Sequence, residues 1–440
     1  MAGETLDEVA RDQQVSETVT ERDQYDILIL DAAWRIALTS ARSFGRAGLR
    51  VALGEGAGQL RPHHAPPSFH SRYCARAVEL PDYNSDPAAF LEAVLAFVRE
   101  HQVRVVLPNG DASIVLLAPH RERFAELGCT LAVASDAALE IANDKVRTLE
   151  VAAKLGIPYP KSVPVTGTDG LREAEAEFGY PFVVKPTMSW TGQVAERVAP
   201  VEVMNEAEAM KATTRFLATG CEVIAQQLAT GRKESVSLFI ANGEMLAYCG
   251  AVAERTTPPL GGVSVQRESF AVPQALLDAA VNLATTIGVE GACEVEFRGD
   301  AKGNPLLMEI NPRLAGTLEN AMHSGVNFPL MIWQWATGQP IESVLSYPAG
   351  VRTRWLAGDL RWVWDSVMQS GRPDTLPPAR SLWTFASEFF RTRHYDLVDR
   401  RDMKPALAEV RDTAGIIRQQ WDKRKQWRES GGGAIHLGNK

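Results

Sequence analysis

Apolar positions first gather at Asp26-Ile27-Leu28-Ile29-Leu30, a short run bounded by polar residues, which predicts a buried strand. Ala32–Ala47 has helical spacing and stops at Gly48, and Arg50–Gly54 reads as a second strand. The alternation continues as helix Pro87–His101, strand Val103–Leu107, helix Ala112–Glu126 and strand Thr130–Ala134. Strands alternating with helices predict a parallel α/β sheet, so residues 24–135 are expected to form a Rossmann-like unit. Leu30 is followed by Asp31-Ala32-Ala33-Trp34, without the glycines that bring backbone up to a pyrophosphate, which excludes the dinucleotide fingerprint.

The texture changes at Asp136. Two short helices, Asp136–Ala142 and Lys145–Leu155, lead into the loop Gly156-Ile157-Pro158-Tyr159-Pro160. Strands are predicted at Phe182–Lys185, Val194–Val198 and Glu222–Gln226, with helix Asn205–Thr219 before the last. Further strands follow at Glu234–Ala241, Glu244–Ala253 and Val263–Phe270, then helix Pro273–Ile287 and a hairpin, Cys293–Arg298 with Pro305–Asn311. Residues 136–345 therefore read as an α+β unit with a small part at about 156–226 and a larger part at 227–345. Residues 346–428 hold Trp355, Trp362, Trp364, Trp383, Trp421 and Trp427 among many arginines. They are expected to form a helical C-terminal extension with Trp355, Trp362 and Trp364 buried. Residues 1–23 and 429–440 show no apolar periodicity and read as tails.

Charge narrows the function. The 440 residues carry 46 Lys plus Arg against 54 Asp plus Glu, a net charge of −8, so nucleic acid is not the expected partner. No apolar run reaches the roughly 18 residues of a membrane span, and the acidic start lacks the form of a signal peptide. Five scattered cysteines without CxxC spacing suggest reduced thiols and a cytoplasmic location. There is no Walker P-loop, Gly-x-Ser-x-Gly elbow or His-Glu-x-x-His, and His63, His64 and His70 fit no zinc spacing.

The hairpin is the most informative stretch. Side chains two apart in a strand share a face, so Glu294 and Glu296 point one way, and Glu309 and Asn311 point together. Folding about residues 302–303 sets Glu296 opposite Glu309 and Glu294 opposite Asn311, with Val295, Phe297, Met308 and Ile310 on the other side. Like charges directly opposed are destabilising, so a cation must offset them. Carboxylates completed by phosphate oxygens are what Mg²⁺ accepts. Arg313, next to the hairpin, suits a phosphate or carboxylate. A solvent-facing acidic strand pair is the plainer alternative.

Glu296 followed by Glu309-Ile310-Asn311-Pro312-Arg313 resembles the magnesium-binding hairpin of the ATP-grasp superfamily, whose ATP-binding domain occurs in carboxylate–amine ligases and carbamoyl-phosphate synthase. The likeness runs from about Asp26 to Pro340. Asn143-Asp144-Lys145 resembles its first lysine site and Phe182-Val183-Val184-Lys185-Pro186 the strand of its second. Val223–Leu228 resembles the hinge that holds adenine, offering Gln226, Gln227 and Leu228, and Gly231–Ser237 resembles the segment whose glutamate, Glu234, bonds the ribose. The resemblance implies an ATP-grasp fold preceded by a Rossmann-like domain, with Lys145 and Lys185 on phosphates. It implies Glu296, Glu309 and Asn311 on Mg²⁺ or Mn²⁺, and Arg313 and Arg267 as catalytic cations. The loop Thr187-Met188-Ser189-Trp190-Thr191-Gly192 departs from the pattern, with one glycine where small residues are usual; Trp190 either covers a substrate or packs. Arg255 begins either a substrate lid or a surface loop.

The implied activity is an ATP-dependent carboxylate–amine ligase working through an acyl-phosphate and releasing ADP and phosphate. Its substrates would be small carboxylates and amines, amino acids among them, and a homodimer is compatible with the reading. The alternatives are a bicarbonate-activating carboxylase of the same superfamily and a non-catalytic nucleotide-binding protein.

Overall fold

The computed structural model describes residues 24–60, 65–188, 200–259, 262–371 and 375–413. Expectations for residues 1–23 and 429–440, His63 and His64, Trp190, the strand at 194–198, Trp421 and Trp427 lie outside the described residues.

The chain opens with β1 (Ile27–Leu30), α1 (Arg35–Arg46), β2 (Val51–Gly56), β3 (Cys74–Leu80), α2 (Pro87–His101), β4 (Val105–Leu107), α3 (Asp111–Leu117), α4 (Arg121–Glu126) and β5 (Thr130–Leu131). These strands form one parallel sheet ordered β3-β2-β1-β4-β5. The strand β3 escaped the sequence pattern because it is an edge strand whose central residues face solvent, so it has no continuous apolar run. The order reverses between β1 and β4, and a crevice outside the carboxyl ends of strands at such a point is where open α/β sheets take ligands.

Two helices, α5 (Asp136–Ala142) and α6 (Lys145–Lys154), lead to β6 (Ser162–Pro164), α7 (Thr168–Phe178), β7 (Phe182–Pro186), β8 (Val201–Val203), α8 (Glu206–Leu217) and β9 (Val223–Gln227). The small sheet, ordered β6-β9-β7-β8, packs Phe182, Val184, Val223 and Ala225 with Leu171 and Phe216 into a core of its own. Its opposite face is polar.

The large sheet takes β10 (Lys233–Ala241), β11 (Glu244–Thr257), β12 (Val263–Ser269), β13 (Gly291–Gly299) and β14 (Pro305–Asn311), with α9 (Gln274–Ile287) against its apolar face. After α10 (Leu318–His323) and α11 (Phe328–Ala336) come β15 (Arg352–Arg354), α12 (Leu356–Met368), α13 (Pro378–Ser387) and β16 (His394–Tyr395). The sheet order is β14-β13-β10-β11-β12-β15-β16. The extension is thus not purely helical: two- and three-residue strands, too short to leave a periodic signal, add it to the sheet edge.

Buried arginines fasten this extension. Arg42 of α1 binds Asp402 at 3.0 Å and donates to the Asp396 and Leu397 carbonyls at 3.0 and 2.8 Å. Ser71 and the Arg72 amide also bind Asp402, at 2.7 and 2.8 Å. Arg255 and Arg354 converge on Asp359, with contacts of 2.6–2.7 Å. Arg255 is therefore neither a lid nor a surface residue: it is buried at the end of β11, under the ring of Trp362. Of the three tryptophans expected inside, Trp362 is buried and Trp355 half-buried, whereas Trp364 is 49% exposed because it lies on the outer side of α12.

Candidate active site

The hairpin pairs as the alternation of its residues predicts. Glu296 lies opposite Glu309 and Glu294 opposite Asn311, with a register shift after Glu296. The turn is closed by Asp300, whose carboxylate accepts from the Lys302 and Asn304 amides at 2.7 and 2.8 Å, while Gly303 takes a φ of +86°. A positive φ at that point suits glycine.

Three lysines face these carboxylates. The carboxylate of Asp144 caps α6 by accepting from the Val146 and Arg147 amides, which puts Lys145 at the first helical position. Its backbone amide bonds the Thr187 carbonyl at 3.1 Å, tying α6 to the end of β7, and its ammonium stands 3.8 Å from Glu309. Lys185 follows the inward-facing Phe182 and Val184 of β7 and so emerges on the polar side of the small sheet. It donates to Gln226 Oε1 at 2.7 Å, and Gln226 Nε2 donates to Ser162 at 2.9 Å. Burial and then the neighbouring Lys145 pull the Lys185 ammonium down to about 8, against the attraction of Glu309 and Glu296. Lys233 opens β10, which pairs with β13, and its ammonium lies 2.9 Å from Glu296. Burial alone would lower Lys233, but Glu296, Glu294 and Glu309 hold it up.

The acids respond in opposite senses. Burial, aided by Glu296, pushes Glu294 up to about 7, although Arg313 and Lys233 oppose the shift. Glu309 is also penalised by burial, yet Lys145, Lys185, Lys233 and Arg313 together bring it below the usual carboxylate range.

Arg313 joins the site to the N-terminal sheet. Its Nε donates to Asp111 at 2.6 Å, and its guanidinium lies over the Trp34 ring at 5.4 Å. Asp111 is placed by a device at the sheet's switch point. Asp31, with a φ of +60°, accepts from the Asn109 and Gly110 amides at 3.1 and 2.6 Å and from Ser113, pinning the start of α3. A Cβ on Gly110 would come within 2.9 Å of the Asp31 carboxyl carbon, so a side chain there would disturb that pin. Asp111, Asn143, Lys145, Thr148, Glu309 and Asn311 line a narrow cleft.

Arg267, expected as a catalytic cation, lies elsewhere, and Glu234, expected at a ribose, lies off the carboxylate face. Arg267 is fully buried in β12, bonded to Asp396, to Thr353 at 3.2 Å and to the Ser264 carbonyl at 2.9 Å. Thr353 and Asp396, 86 and 129 residues away in sequence, belong to the extension and engage Nε and Nη2 of Arg267. Glu234 is one residue after Lys233 and therefore projects from the other face of β10, where Arg232 stands 3.4 Å away. The residue that β10 contributes to the carboxylate face is Lys233. Nothing local marks it, since β10 and β13 are neighbours in space but separated by two strands and a helix in sequence. Asp111 was likewise missed, because only the fold brings α3 to Arg313. Gln227 is exposed and Leu228 half-buried in the segment joining the two sheets.

Among the described residues, no three His, Cys, Asp or Glu side chains converge as a metal cluster. Glu296, Glu309 and the Asn311 amide nonetheless form a hard-oxygen set of the kind a divalent ion takes together with phosphate. Among the described residues, no helix is long and apolar enough to cross a membrane.

Comparison with known proteins adds a partial family match and a shared fold. A profile described as "ATP-grasp in the biosynthetic pathway with Ter operon" matches residues 225–358. The carbamoyl phosphate synthase large chain of Rubrobacter xylanophilus is 26% identical over 254 residues, 54% of this chain and 23% of that one. The D-alanine–D-alanine ligase of Stutzerimonas stutzeri is 25% identical over 187 residues, 39% of this chain and 55% of that one. The chain thus spans about a quarter to a half of the length of these relatives. A biotin carboxylase from Campylobacter jejuni, solved as a β,γ-ATP complex, superposes with a TM-score of 0.57 over 75% of each chain at 18% identity.

Proposed function

We propose that this chain, a member of the ATP-grasp superfamily, is an ATP-dependent carboxylate–amine ligase that works through an acyl-phosphate. The observation that carries this reading is the convergence of Lys145, Lys185 and Arg313 on the opposed carboxylates Glu296 and Glu309 beside a narrow cleft. Such a site neutralises a polyphosphate.

In this reading Lys185 and Lys145 hold phosphate oxygens as point charges, and Gln226 orients Lys185. Gln227 and Leu228, on the segment between the sheets, border the base. Glu309, Asn311 and Glu296 hold Mg²⁺, with Mn²⁺ as a substitute; when bound, the metal supplies positive charge to the phosphate oxygens. Arg313, fixed by Asp111, stabilises the charge that develops on the transferring phosphoryl and acyl oxygens. Glu234 is left for the ribose, whereas Arg267, bonded to Asp396, Thr353 and Ser264, takes no part.

A carboxylate oxygen of the substrate attacks the γ-phosphorus, the bond from that phosphorus to the β,γ-bridging oxygen breaks, and ADP leaves. An amine nitrogen then attacks the acyl carbon, phosphate departs with the bonding pair, and the nitrogen loses a proton to give the amide. The chain's task is positioning and charge neutralisation, which is most of what phosphoryl transfer requires. The substrates are small molecules, amino acids among them, and the five free cysteines fit a cytoplasmic setting.

The test is product analysis with Mg-ATP and pools of carboxylic acids and amines. ADP and phosphate, formed only when both pools are present, together with a new amide by mass spectrometry, are the expected result. AMP with pyrophosphate, or turnover undiminished in Glu309→Gln, would overturn the mechanism.

A further inference from the structure

The surface of the C-terminal extension differs from the rest of the molecule in charge and in polarity. Residues 346–440 carry 17 Lys plus Arg against 11 Asp plus Glu, a net charge of +6, which leaves −14 for residues 1–345. Burial sharpens the contrast. Asp359, Glu388, Asp396 and Asp402 lie inside, each engaged by an arginine. Arg380, Arg391, Arg393 and Arg400 stand in solvent instead.

The same surface is apolar along one helix. After α13 the chain continues in the turn Glu388–Phe390. The inner side of this segment is Ser381, Phe385 and Glu388, at helical spacing, with Arg354 4.4 Å from the Phe385 ring. Glu388 accepts from Gln266 of β12 at 2.6 Å, and the Phe385 carbonyl accepts from Arg354 of β15 at 2.8 Å. The sheet edge therefore grips the segment from beneath. Its opposite side repeats at the same spacing with Ala379, Trp383, Ala386 and Phe390. Trp383 is 73% exposed and Phe390 91%, with Leu382 beside them at 58%. Large aromatic side chains standing this far into water on a fixed element mark an interaction surface.

Charge selects the occupant. A two-fold contact with a second copy would set the same arginines against one another, whereas an anionic surface would pair with them. A short helix with Trp, Phe and Leu outward and arginines at its flanks has the composition that lies in the headgroup layer of an anionic bilayer. A few apolar side chains or a few cations alone hold a protein there only weakly, and the two together hold it firmly.

We propose that the outer face of α13 and the turn after it dock on an anionic phospholipid surface. Trp383 and Phe390 enter the boundary between headgroups and acyl chains, and Arg380, Arg391 and Arg393 meet lipid phosphates. The contact lies in the plane of the interface and does not span the bilayer. It is independent of the nucleotide reading, since the hairpin and its lysines take no part.

The experiment is flotation of the full-length chain with vesicles of phosphatidylcholine and phosphatidylglycerol in about equal parts, against phosphatidylcholine alone. The native chain is expected to float with the anionic vesicles, to stay behind with the neutral ones, and to be released by salt. Trp383→Ser with Phe390→Ser, shown to be folded by an unchanged melting temperature, should weaken binding about tenfold or more. Arg380→Gln with Arg393→Gln should weaken it about fivefold or more and flatten the salt dependence. A native chain that does not float with anionic vesicles, or floats equally with neutral ones, overturns the proposal. So does undiminished flotation of the folded serine variant. A native dimer that fails to float, and that the serine variant converts to monomer, gives the face to a second copy instead. Should the serine variant fail to fold, the glutamine variant decides: weakened flotation supports the proposal and unchanged flotation refutes it.

Discussion

Two regions of the molecule concentrate buried charge, and they handle it in opposite ways. At the C-terminal extension, Arg42 has every nitrogen engaged by Asp402, Asp396 or Leu397, and Arg267 is shared among Asp396, Thr353 and Ser264. Planar guanidinium groups fit this saturation, since their fixed donors match carboxylates and carbonyls at once. At the hairpin the charges are mostly lysines, held at 2.9 and 3.8 Å from single carboxylates, with a cleft alongside. A saturated ion network has nothing left to offer a ligand, so it works as a fastener. The lysines and acids of the hairpin instead border a cleft, where a phosphate can reach them.

Breaking the fastener should have the largest effect. Asp396→Ala leaves the Arg35 and Arg267 guanidinium groups facing each other in the interior without their shared carboxylate. Removing one partner from a buried pair costs about 3–5 kcal/mol, so thermal or urea unfolding should register a loss of that size. The comparison predicts that nucleotide affinity at a temperature where the variant is folded is little changed. A variant with native stability and lost ADP binding would show that the network belongs to the site after all.

The converse substitution is Lys185→Met. It removes a cation whose burial already disfavours its charge, so the melting temperature should hold or rise. Loss of one preorganised electrostatic donor costs about 10²–10³-fold in rate, and kcat/KM for ATP should fall within that range. A drop in stability with unchanged kinetics would class Lys185 with the fasteners.

The same contrast explains what could be read in the sequence. The hairpin was legible because its partners are only thirteen and seventeen residues apart and alternate with period two: Glu296–Glu309 and Glu294–Asn311 follow from the turn alone. Lys145 and Lys185 were legible as a helix start and a strand end. Arg267 was misread because its aspartate lies far along the chain, in an extension whose short strands leave no pattern. Lys233 was missed because the start of β10 fixes which residue faces the acids, and that register depends on a non-local pairing with β13. Local periodicity identifies faces; it does not identify which distant strand a face will meet.

The smallest effect is also the one that most sharply separates a titrating site from a saturated one. In the free chain Lys185 loses its proton near pH 8, well below an unperturbed lysine, because it is buried beside Lys145. A phosphate next to it favours the ammonium and raises that value, so nucleotide binding must take up a proton once the pH passes about 8. The sign is therefore fixed: affinity is full below pH 8 and weakens as pH rises through it. Between pH 7 and pH 9 the protonated fraction of a group titrating at 8 falls about tenfold, and the dissociation constant for ADP should rise by up to about that factor. The groups facing Lys185 are Lys145, Glu309, Glu296 and the neutral Gln226, and the Glu309 carboxyl is held below its usual range by the cations around it. Lys185→Met should bind more weakly at every pH but with a flat profile from 7 to 9. Calorimetry in buffers of different ionisation enthalpy would count the proton directly, near zero at pH 7 and rising toward one above pH 8 in the native chain. A flat native profile would mean that the Lys185 ammonium does not meet the phosphates, and that its bond to Gln226 is structural like those of the arginines at the other end of the molecule.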